Sequence, residues 1–142
     1  MTRISLRLRR QAQSDFGDQC AYCHTPVWIT GAHLVTDHII PEGAGGLTVL
    51  ANLCPACHAC NESKGMQMDG LDPRTGERVR LFHPRQDTWR AHFQWSEDGG
   101  SILGLTASGR ATVAALNMNR LPVVQAGLRW VGVGWHPPAE DL

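Results

Sequence analysis

The sequence predicts a single α+β domain built from short helices and short strands. Its 142 residues are the length of one ordinary domain. Apolar residues make up 42% of the chain and charged residues 18%, which is typical of a folded globular protein and not of a disordered chain. Helix-type and strand-type segments alternate, with glycine and proline between them. We therefore predict one domain over residues 1–142.

The first predicted element is an N-terminal helix. Ser5 is a good N-cap, the segment SLRLRRQAQSDF contains no helix breaker, and Gly17 is a natural stop. Residues 18–25 then predict a tight turn. Residues 32–40 are rich in β-branched side chains and precede Pro41, so they predict a strand.

Two short segments complete the first half. EGAGG, residues 42–46, predicts a flexible loop, and NESKG, residues 61–65, predicts a short helix closed by Gly65.

The second half predicts further short elements. Turn signals in residues 66–80 predict a loop with a small hairpin, and residues 81–95 predict a helix that turns into a strand. Residues 93–105 have the pattern strand, glycine-rich turn, strand. Residues 106–117 predict a helix, and residues 121–138 predict an amphipathic helix ended by a glycine and a double proline.

Charge and hydropathy limit the classes of partner that this protein is expected to bind. The formal net charge is zero, which argues against a protein held on nucleic acid by bulk charge alone. The first ten residues nevertheless carry Arg3, Arg7, Arg9 and Arg10 and no acid, which predicts either a phosphate-binding edge or a solvated helix face. No apolar run approaches the ~20 residues of a membrane span, and no secretory h-region is visible. We therefore predict a cytoplasmic protein without membrane contact.

The five cysteines indicate a metal site. Disulfides do not persist in a reducing compartment, whereas two cysteines three apart in a turn can direct both sulfurs to one zinc ion. Cys20 and Cys23 form one such pair. Residues 53–65 contain two overlapping pairs, Cys54 with Cys57 and Cys57 with Cys60, and spacing alone rates them nearly equal.

The segment between the cysteine pairs holds further polar residues. Cys23 and Cys57 are separated by 33 residues (positions 24–56), more than the ~15 to 20 residues of a simple zinc ribbon. Asp37, His38 and Asn52 lie in this interval, and Asn61 follows the second cysteine cluster.

In this order the residues resemble the HNH endonuclease family, whose nuclease core is the ββα-metal motif. The resemblance implies a ββα-metal core at about residues 18–66 with a structural zinc, flanked by the N-terminal helix and a C-terminal α/β extension at about residues 80–138. The matching motifs are CAYC (20–23), DHIIP (37–41), GG (45–46), NL (52–53) and CHACNESKG (57–65).

The resemblance also implies a zinc ligand set. It favours Cys57 and Cys60 as the partners of Cys20 and Cys23, because that pair places Asn61 at the start of the core helix. Cys54 is then expected to be a small buried apolar residue.

The resemblance further implies catalytic roles. His38 is the general base, which suits an imidazole because it is largely neutral at cellular pH. Asp37 and Asn61 are ligands of a catalytic divalent cation, and their oxygen atoms favour Mg²⁺ or Mn²⁺. Asn52 braces the loop near the base. Asn61 replaces the last histidine of the family name, so the chain is an H-N-N variant.

DNA is the implied partner, and no sequence feature indicates an oligomeric state. Lys64, one turn beyond Asn61, is either a phosphate contact or a solvated lysine favoured by the helix dipole. The arginines Arg3, Arg7 and Arg10 are further candidates for DNA contact.

Strand geometry sets one condition on this site. Neighbouring residues of an ideal strand face opposite sides, so Asp37 and His38 cannot both reach one phosphate from regular pairing. We therefore predict strong twist or the end of the strand at His38.

The resulting functional prediction is a metal-dependent DNA endonuclease that hydrolyses phosphodiester bonds. The first alternative is a zinc-stabilised nucleic-acid-binding module without catalysis. A thiol redox protein is the second alternative, and the absence of a thioredoxin-like βαβ pattern argues against it.

Overall fold

The computed structural model describes residues 3–142, which form two compact units. The first unit contains the chain up to Met68 together with His83–Gln86, and the second contains Asp69–Phe82 and Asp87–Leu142. The predicted mixture of short helices and short strands is confirmed. The prediction of one domain over residues 1–142 stays a prediction. In the part of the chain that the structure describes, no helix combines the length and the apolar character needed to cross a bilayer.

Helix α1, Leu6–Asp15, begins and ends where the sequence predicts. The Ser5 hydroxyl accepts a hydrogen bond from the Leu8 backbone N–H at 3.2 Å, which satisfies one of the free donors of the first turn. Phe16 caps the other end, and Gly17 follows with φ +67°, a conformation that glycine adopts without strain.

A small apolar core holds α1 in place. Ile4, Ala12 and Leu53 are buried together, and Leu8 and Leu50 pack against them. The helix therefore packs against the start of the strand that begins at Leu53.

A two-stranded antiparallel sheet follows. After the four-residue helix α2, Val27–Thr30, strand β1, Val35–His38, pairs with β2, Leu53–Ala56. The strand predicted over residues 32–40 is thus shorter at both ends, and the predicted end of pairing at His38 is confirmed. After His38 one more backbone hydrogen bond joins the Ile39 N–H to the Asn52 carbonyl, and the pairing then stops because the Asn52 side chain accepts the Ile40 N–H.

The loop between the strands is partly regular. The segment predicted as a flexible loop contains a 3₁₀ helix at Glu42–Ala44, and a second 3₁₀ helix at Leu50–Asn52 leads into β2. The prediction of a purely flexible loop is therefore wrong for the first three residues of that segment.

Helix α3, His58–Lys64, begins earlier than predicted. Cys57 is its N-cap, because its sulfur accepts the Cys60 backbone N–H at 3.4 Å. Asn61 consequently lies in the middle of the helix, and the expectation that it stands at the start is wrong. Gly65 closes the helix with φ +52°, as predicted.

The second unit contains short helices and strands of the kinds that the sequence predicts. Its buried aromatic side chains include Phe82, Trp89 and Phe93, whose rings meet at centroid distances of 5.0 to 5.2 Å. The elements are β3 (Asp69–Leu71), β4 (Arg78–Arg80), α4 (Trp89–His92), β5 (Phe93–Trp95), β6 (Ile102–Gly104), α5 (Ala107–Ala115) and α6 (Leu121–Gly132), with β3 paired to β4 and β5 to β6.

An ion pair fixes the turn between β3 and β4 to helix α5. Arg110 donates two hydrogen bonds to Asp72, at 2.9 and 2.8 Å. The Arg110 guanidinium holds the pKa of the Asp72 carboxyl well below its usual value of 3.8. Since this pKa is lowered in the folded protein, the pair contributes stability above the ordinary carboxyl pKa and loses it as the pH falls through the lowered value.

Candidate metal centre and nuclease site

Four cysteines converge on one point in the first unit. The sulfur atoms of Cys20, Cys23, Cys57 and Cys60 all lie within 4.8 Å of one another, and the Cys23 and Cys57 sulfurs are 3.8 Å apart. Zinc bound tetrahedrally at ~2.3 Å from each sulfur requires sulfur separations of about 3.8 Å. The cluster is therefore close to the arrangement that a bound metal ion requires, and its donor set fits zinc.

Backbone N–H groups support the sulfurs. The Cys23 N–H points at the Cys20 sulfur at 3.5 Å, and the Cys60 N–H points at the Cys57 sulfur at 3.4 Å. Hydrogen bonds from the other three cysteines hold the pKa of the Cys57 thiol far below its usual range, which favours the thiolate that a metal ion binds.

The fifth cysteine takes no part in this cluster. Cys54 is fully buried on β2, directly opposite Asp37 in the strand pairing. Burial raises the pKa of its thiol, so Cys54 stays neutral. The four clustered sulfurs are those of the favoured pairing, Cys57 with Cys60, and the cluster does not include Cys54.

Asp37 lies on β1 between two donors. The Tyr22 hydroxyl donates to its Oδ2 at 2.7 Å, and the Lys64 ammonium lies 3.0 Å from Oδ2 and 3.3 Å from Oδ1. Burial raises the pKa of the Tyr22 phenol, so this group remains protonated and donates. Lys64 also donates to the His38 backbone carbonyl at 3.2 Å. The sequence did not reveal either partner of Asp37.

Lys64 differs from both sequence-based alternatives. Its side chain is 3% exposed and packs inward on α3, so the alternative of a solvated lysine is wrong. A buried lysine requires a partner, and Asp37 supplies it. The ammonium faces Asp37, so a contact between Lys64 and a DNA phosphate stays a prediction that requires this ion pair to open.

Replacing Lys64 with methionine is expected to lower the free energy of unfolding by about 3 to 5 kcal/mol, because it leaves the Asp37 charge buried beside one neutral donor. Chemical denaturation of the zinc-loaded protein without added magnesium measures this change. The matched control is Arg78→Met, which breaks an exposed ion pair with Asp69 whose side chains are 62% and 51% exposed, and should cost at most about 1 kcal/mol. Equal losses in the two variants would contradict the prediction.

His38 makes contact through one ring nitrogen. Its Nε2 lies 2.9 Å from the Thr48 hydroxyl and 3.2 Å from Glu42 Oε1, and the Thr48 hydroxyl also reaches Glu42 at 3.3 Å. The sequence did not indicate Thr48 or Glu42 as partners of His38, although Glu42 stands four residues after it. Because the Glu42 carboxylate only accepts, this arrangement favours the tautomer with its proton on Nε2 and leaves Nδ1 unprotonated.

Asn52 ties the loop to the end of β1. Its Oδ1 accepts the Ile40 N–H at 2.8 Å, and its Nδ2 donates to the carbonyls of Ile40 at 3.0 Å and Leu47 at 2.9 Å. These three bonds hold the backbone next to His38 in one conformation.

Gly46 packs directly against the same backbone. A Cβ at Gly46 would lie 1.7 Å from the Ile40 carbonyl oxygen, so Gly46→Ala must displace the braced loop. We expect the free energy of unfolding to fall by about 1 to 3 kcal/mol, measured by chemical denaturation. Gly132→Ala is the control, because a Cβ there meets nothing within 4 Å. A Gly46→Ala variant as stable as this control would contradict the prediction.

One cavity brings the predicted catalytic side chains together. Asp37, His38 and Asn61 line a cavity of about 390 Å³, whose rim includes Glu42 and Met66. Within residues 3–142 the Asn61 side chain has no hydrogen-bond partner, so its amide oxygen is available to a ligand. An ionised carboxylate has about four lone-pair sites, and the three contacts to Asp37 leave room for one more. The oxygen donors present therefore fit a magnesium ion that keeps several water ligands.

The N-terminal arginines are exposed on and before α1. Arg3, Arg7 and Arg10 face solvent, whereas Arg9 donates to the Ile4 carbonyl and to the Thr36 hydroxyl. A DNA contact by the three solvent-facing arginines stays a prediction.

Comparisons with known proteins agree with this site. Residues 20–71 match the family described as HNH endonuclease. A segment of 48 residues is 44% identical to the CRISPR-associated endonuclease Cas9 of Corynebacterium diphtheriae; it makes up 33% of this chain and 4% of that much longer protein. No solved structure matches the chain. The four-cysteine cluster, the paired strands β1 and β2 and helix α3 all lie within the range, residues 20–71, that is similar to the HNH endonuclease family.

Proposed function

We propose that this chain is a metal-dependent endonuclease that hydrolyses DNA phosphodiester bonds in the cytoplasm. The observation that carries the proposal is the cavity shared by Asp37, His38 and Asn61, because it collects a base and two oxygen ligands of a hard cation in an HNH-family segment. The activity of the much longer Cas9 relative supports the reaction class.

His38 acts as the general base in this proposal. The Glu42 carboxylate accepts from Nε2–H, which leaves the Nδ1 lone pair to take a proton from the attacking water. Thr48 and Glu42 hold the ring, and the Asn52 hydrogen bonds hold the backbone on which the ring is mounted. The base is thus oriented before the substrate arrives.

Asp37 and Asn61 hold the catalytic cation. Their carboxylate and amide oxygens are the ligands that Mg²⁺ or Mn²⁺ prefers over softer ligands. When bound, the cation offsets negative charge on the phosphoryl and leaving oxygens. The Lys64 ammonium pairs with the buried Asp37 carboxylate before the ion binds.

A structural zinc on the four cysteines holds the two halves of the first unit together. Cys20 and Cys23 precede β1, whereas Cys57 and Cys60 flank the start of α3. One ion bound to both pairs therefore keeps the helix that carries Asn61 beside the strand that carries Asp37. Arg3, Arg7 and Arg10 contact the DNA backbone.

A specific observation favours the catalytically inactive alternative. The Asp37 charge is already balanced by the Lys64 ammonium, so this carboxylate does not need a divalent cation to offset its charge. A zinc-stabilised module that binds nucleic acid without cutting it would keep this pair closed.

Cleavage of supercoiled plasmid by the zinc-loaded protein separates the two functions. We expect nicked or linear plasmid with magnesium or manganese, no product without an added divalent cation, and no product from the Asp37→Ala variant in either metal. A gel-shift measurement on the same samples reports DNA binding. Binding without cleavage in every metal would overturn the nuclease proposal in favour of the inactive module.

A further inference from the structure

We propose that Tyr22 is a positioning residue through which the four-cysteine site orients Asp37. This inference rests on the proposed function, because it concerns the ligand of the proposed catalytic cation. Tyr22 stands between Cys20 and Cys23, so two residues of the four-cysteine cluster enclose it in the chain. Its hydroxyl reaches the Asp37 carboxylate, 15 residues further along, at 2.7 Å.

The backbone around Tyr22 is held by its neighbours. The preceding Ala21 N–H donates to the Pro55 carbonyl on β2 at 2.9 Å, and the following turn is closed by the His24 N–H on the Cys20 carbonyl at 3.0 Å. The Tyr22 side chain is 1% exposed. These backbone hydrogen bonds and the enclosed ring hold the Tyr22 hydroxyl beside the Asp37 carboxylate.

The hydrogen bond from the Tyr22 hydroxyl to Asp37 is a strong one. An O–H donor on an ionised carboxylate at 2.7 Å forms a charge-assisted hydrogen bond, which is roughly twice as strong as a neutral one. Tyr22 holds one carboxylate oxygen, and Lys64 contacts both. Two donors on different elements therefore fix the carboxylate plane, while Asp37 still lines the cavity that contains Asn61.

This hydrogen bond connects the turn between Cys20 and Cys23 to the proposed oxygen ligand of the catalytic cation. A metal ion on Cys20 and Cys23 fixes the turn that carries Tyr22, and Tyr22 fixes the oxygen ligand. Hydrogen-bonded partners of metal ligands typically change metal affinity or activity by 10- to 100-fold when they are removed. We expect removal of the Tyr22 hydroxyl to weaken binding of the proposed catalytic cation by the same 10- to 100-fold.

The first test uses Tyr22→Phe in the full zinc-loaded chain. We expect this variant to keep one zinc per chain, to bind Mn²⁺ about 10- to 100-fold more weakly by electron paramagnetic resonance of the free ion, and to cut plasmid with lower kcat and unchanged KM. The control is Thr30→Val, which removes a hydroxyl in the same unit that is hydrogen-bonded to the Pro26 carbonyl and the Ala32 N–H. This control should bind Mn²⁺ as the wild type does.

A second measurement keeps the Tyr22 hydroxyl and decides the matter if Tyr22→Phe does not fold. Tyr22 is the one tyrosine of the chain, so uniform incorporation of 3-fluorotyrosine labels this position alone. We expect the single ¹⁹F resonance to shift in Asp37→Asn and to broaden when Mn²⁺ binds to the wild type. A resonance unaffected by both changes would overturn the inference.

The outcomes distinguish this inference from the proposed function. If the wild type binds Mn²⁺ and cuts DNA while Tyr22→Phe equals it in both, the inference is wrong and the nuclease stands. If the wild type neither binds Mn²⁺ nor cuts, the proposed function is wrong and the inference falls with it. A ¹⁹F shift in Asp37→Asn supports the contact between Tyr22 and Asp37 in either case.

Discussion

Replacing His38 with alanine is expected to lower the rate of DNA cleavage by about 10²- to 10⁴-fold, the usual contribution of a general base. The variant loses the nitrogen that accepts the proton of the attacking water but keeps Asp37, Asn61 and the four cysteines. His38 is not part of the apolar core of the first unit, so we expect zinc content and thermal stability to stay close to the wild-type values.

Single-turnover cleavage of plasmid with saturating magnesium measures this loss, because product release does not limit the rate under these conditions. His33→Ala is the matched control, since His33 is exposed on the segment just before β1. Glu42→Gln should give a smaller loss, because the amide oxygen still accepts from His38 Nε2 but no longer stabilises the charged imidazolium that forms. If His38→Ala and His33→Ala cut at the same rate, His38 is not the base.

The end of β1 could be predicted from the sequence because its cause is local. Pro41 and the glycines after it are incompatible with regular pairing, and Asp37 next to His38 demands a break in alternation. In the structure the strand ends at His38, and a hydrogen bond from the Ile40 N–H to the Asn52 side chain replaces the backbone pairing at Ile40. The sequence indicated that Asn52 braces the loop. It could not specify the three hydrogen bonds of Asn52, because these depend on a loop conformation that periodicity does not determine.

The start of α3 was missed because the capping group is unusual. Serine, threonine, aspartate and asparagine are the common N-caps, and residues 53–60 contain none of them. The Cys57 sulfur takes that role and starts the helix at His58. Sequence rules written for oxygen caps therefore place the start of this helix too late, because here a cysteine of the four-cysteine cluster serves as the cap.

The partners of Asp37 were missed for a different reason. Tyr22 and Lys64 are 15 and 27 residues away from Asp37 in sequence, and only the folded chain brings them together. One signal was available: Lys64 follows Asn61 by three residues on a helix, so both lie on the same face as the proposed site. A lysine on the buried face of a helix indicates a buried acidic partner.

Replacing Cys57 with serine is expected to abolish metal binding at the four-cysteine site and to unfold the first unit. Structural zinc contributes about 10 to 16 kcal/mol of apparent binding free energy, which equals or exceeds the ~5 to 15 kcal/mol stability of an ordinary domain. Serine at position 57 remains a good helix N-cap, so the substitution removes the metal ligand while it keeps the start of α3. Loss of the fold can then be assigned to the metal and not to the cap.

Two control variants make this assignment specific. Cys54→Ala removes a buried thiol that lies outside the cluster; it should keep one zinc per chain and lose only about 1 kcal/mol of unfolding free energy. Asn61→Ala changes the neighbour of Cys60 without touching a sulfur, and it should keep zinc and stability but lose cleavage. Elemental analysis gives the zinc content, and hydrogen exchange shows whether α1, β1, β2 and α3 lose protection together. Equal loss of thermal stability in Cys57→Ser and Asn61→Ala would undo the division between a structural metal site and a catalytic one, because a purely catalytic ligand has no reason to hold the fold.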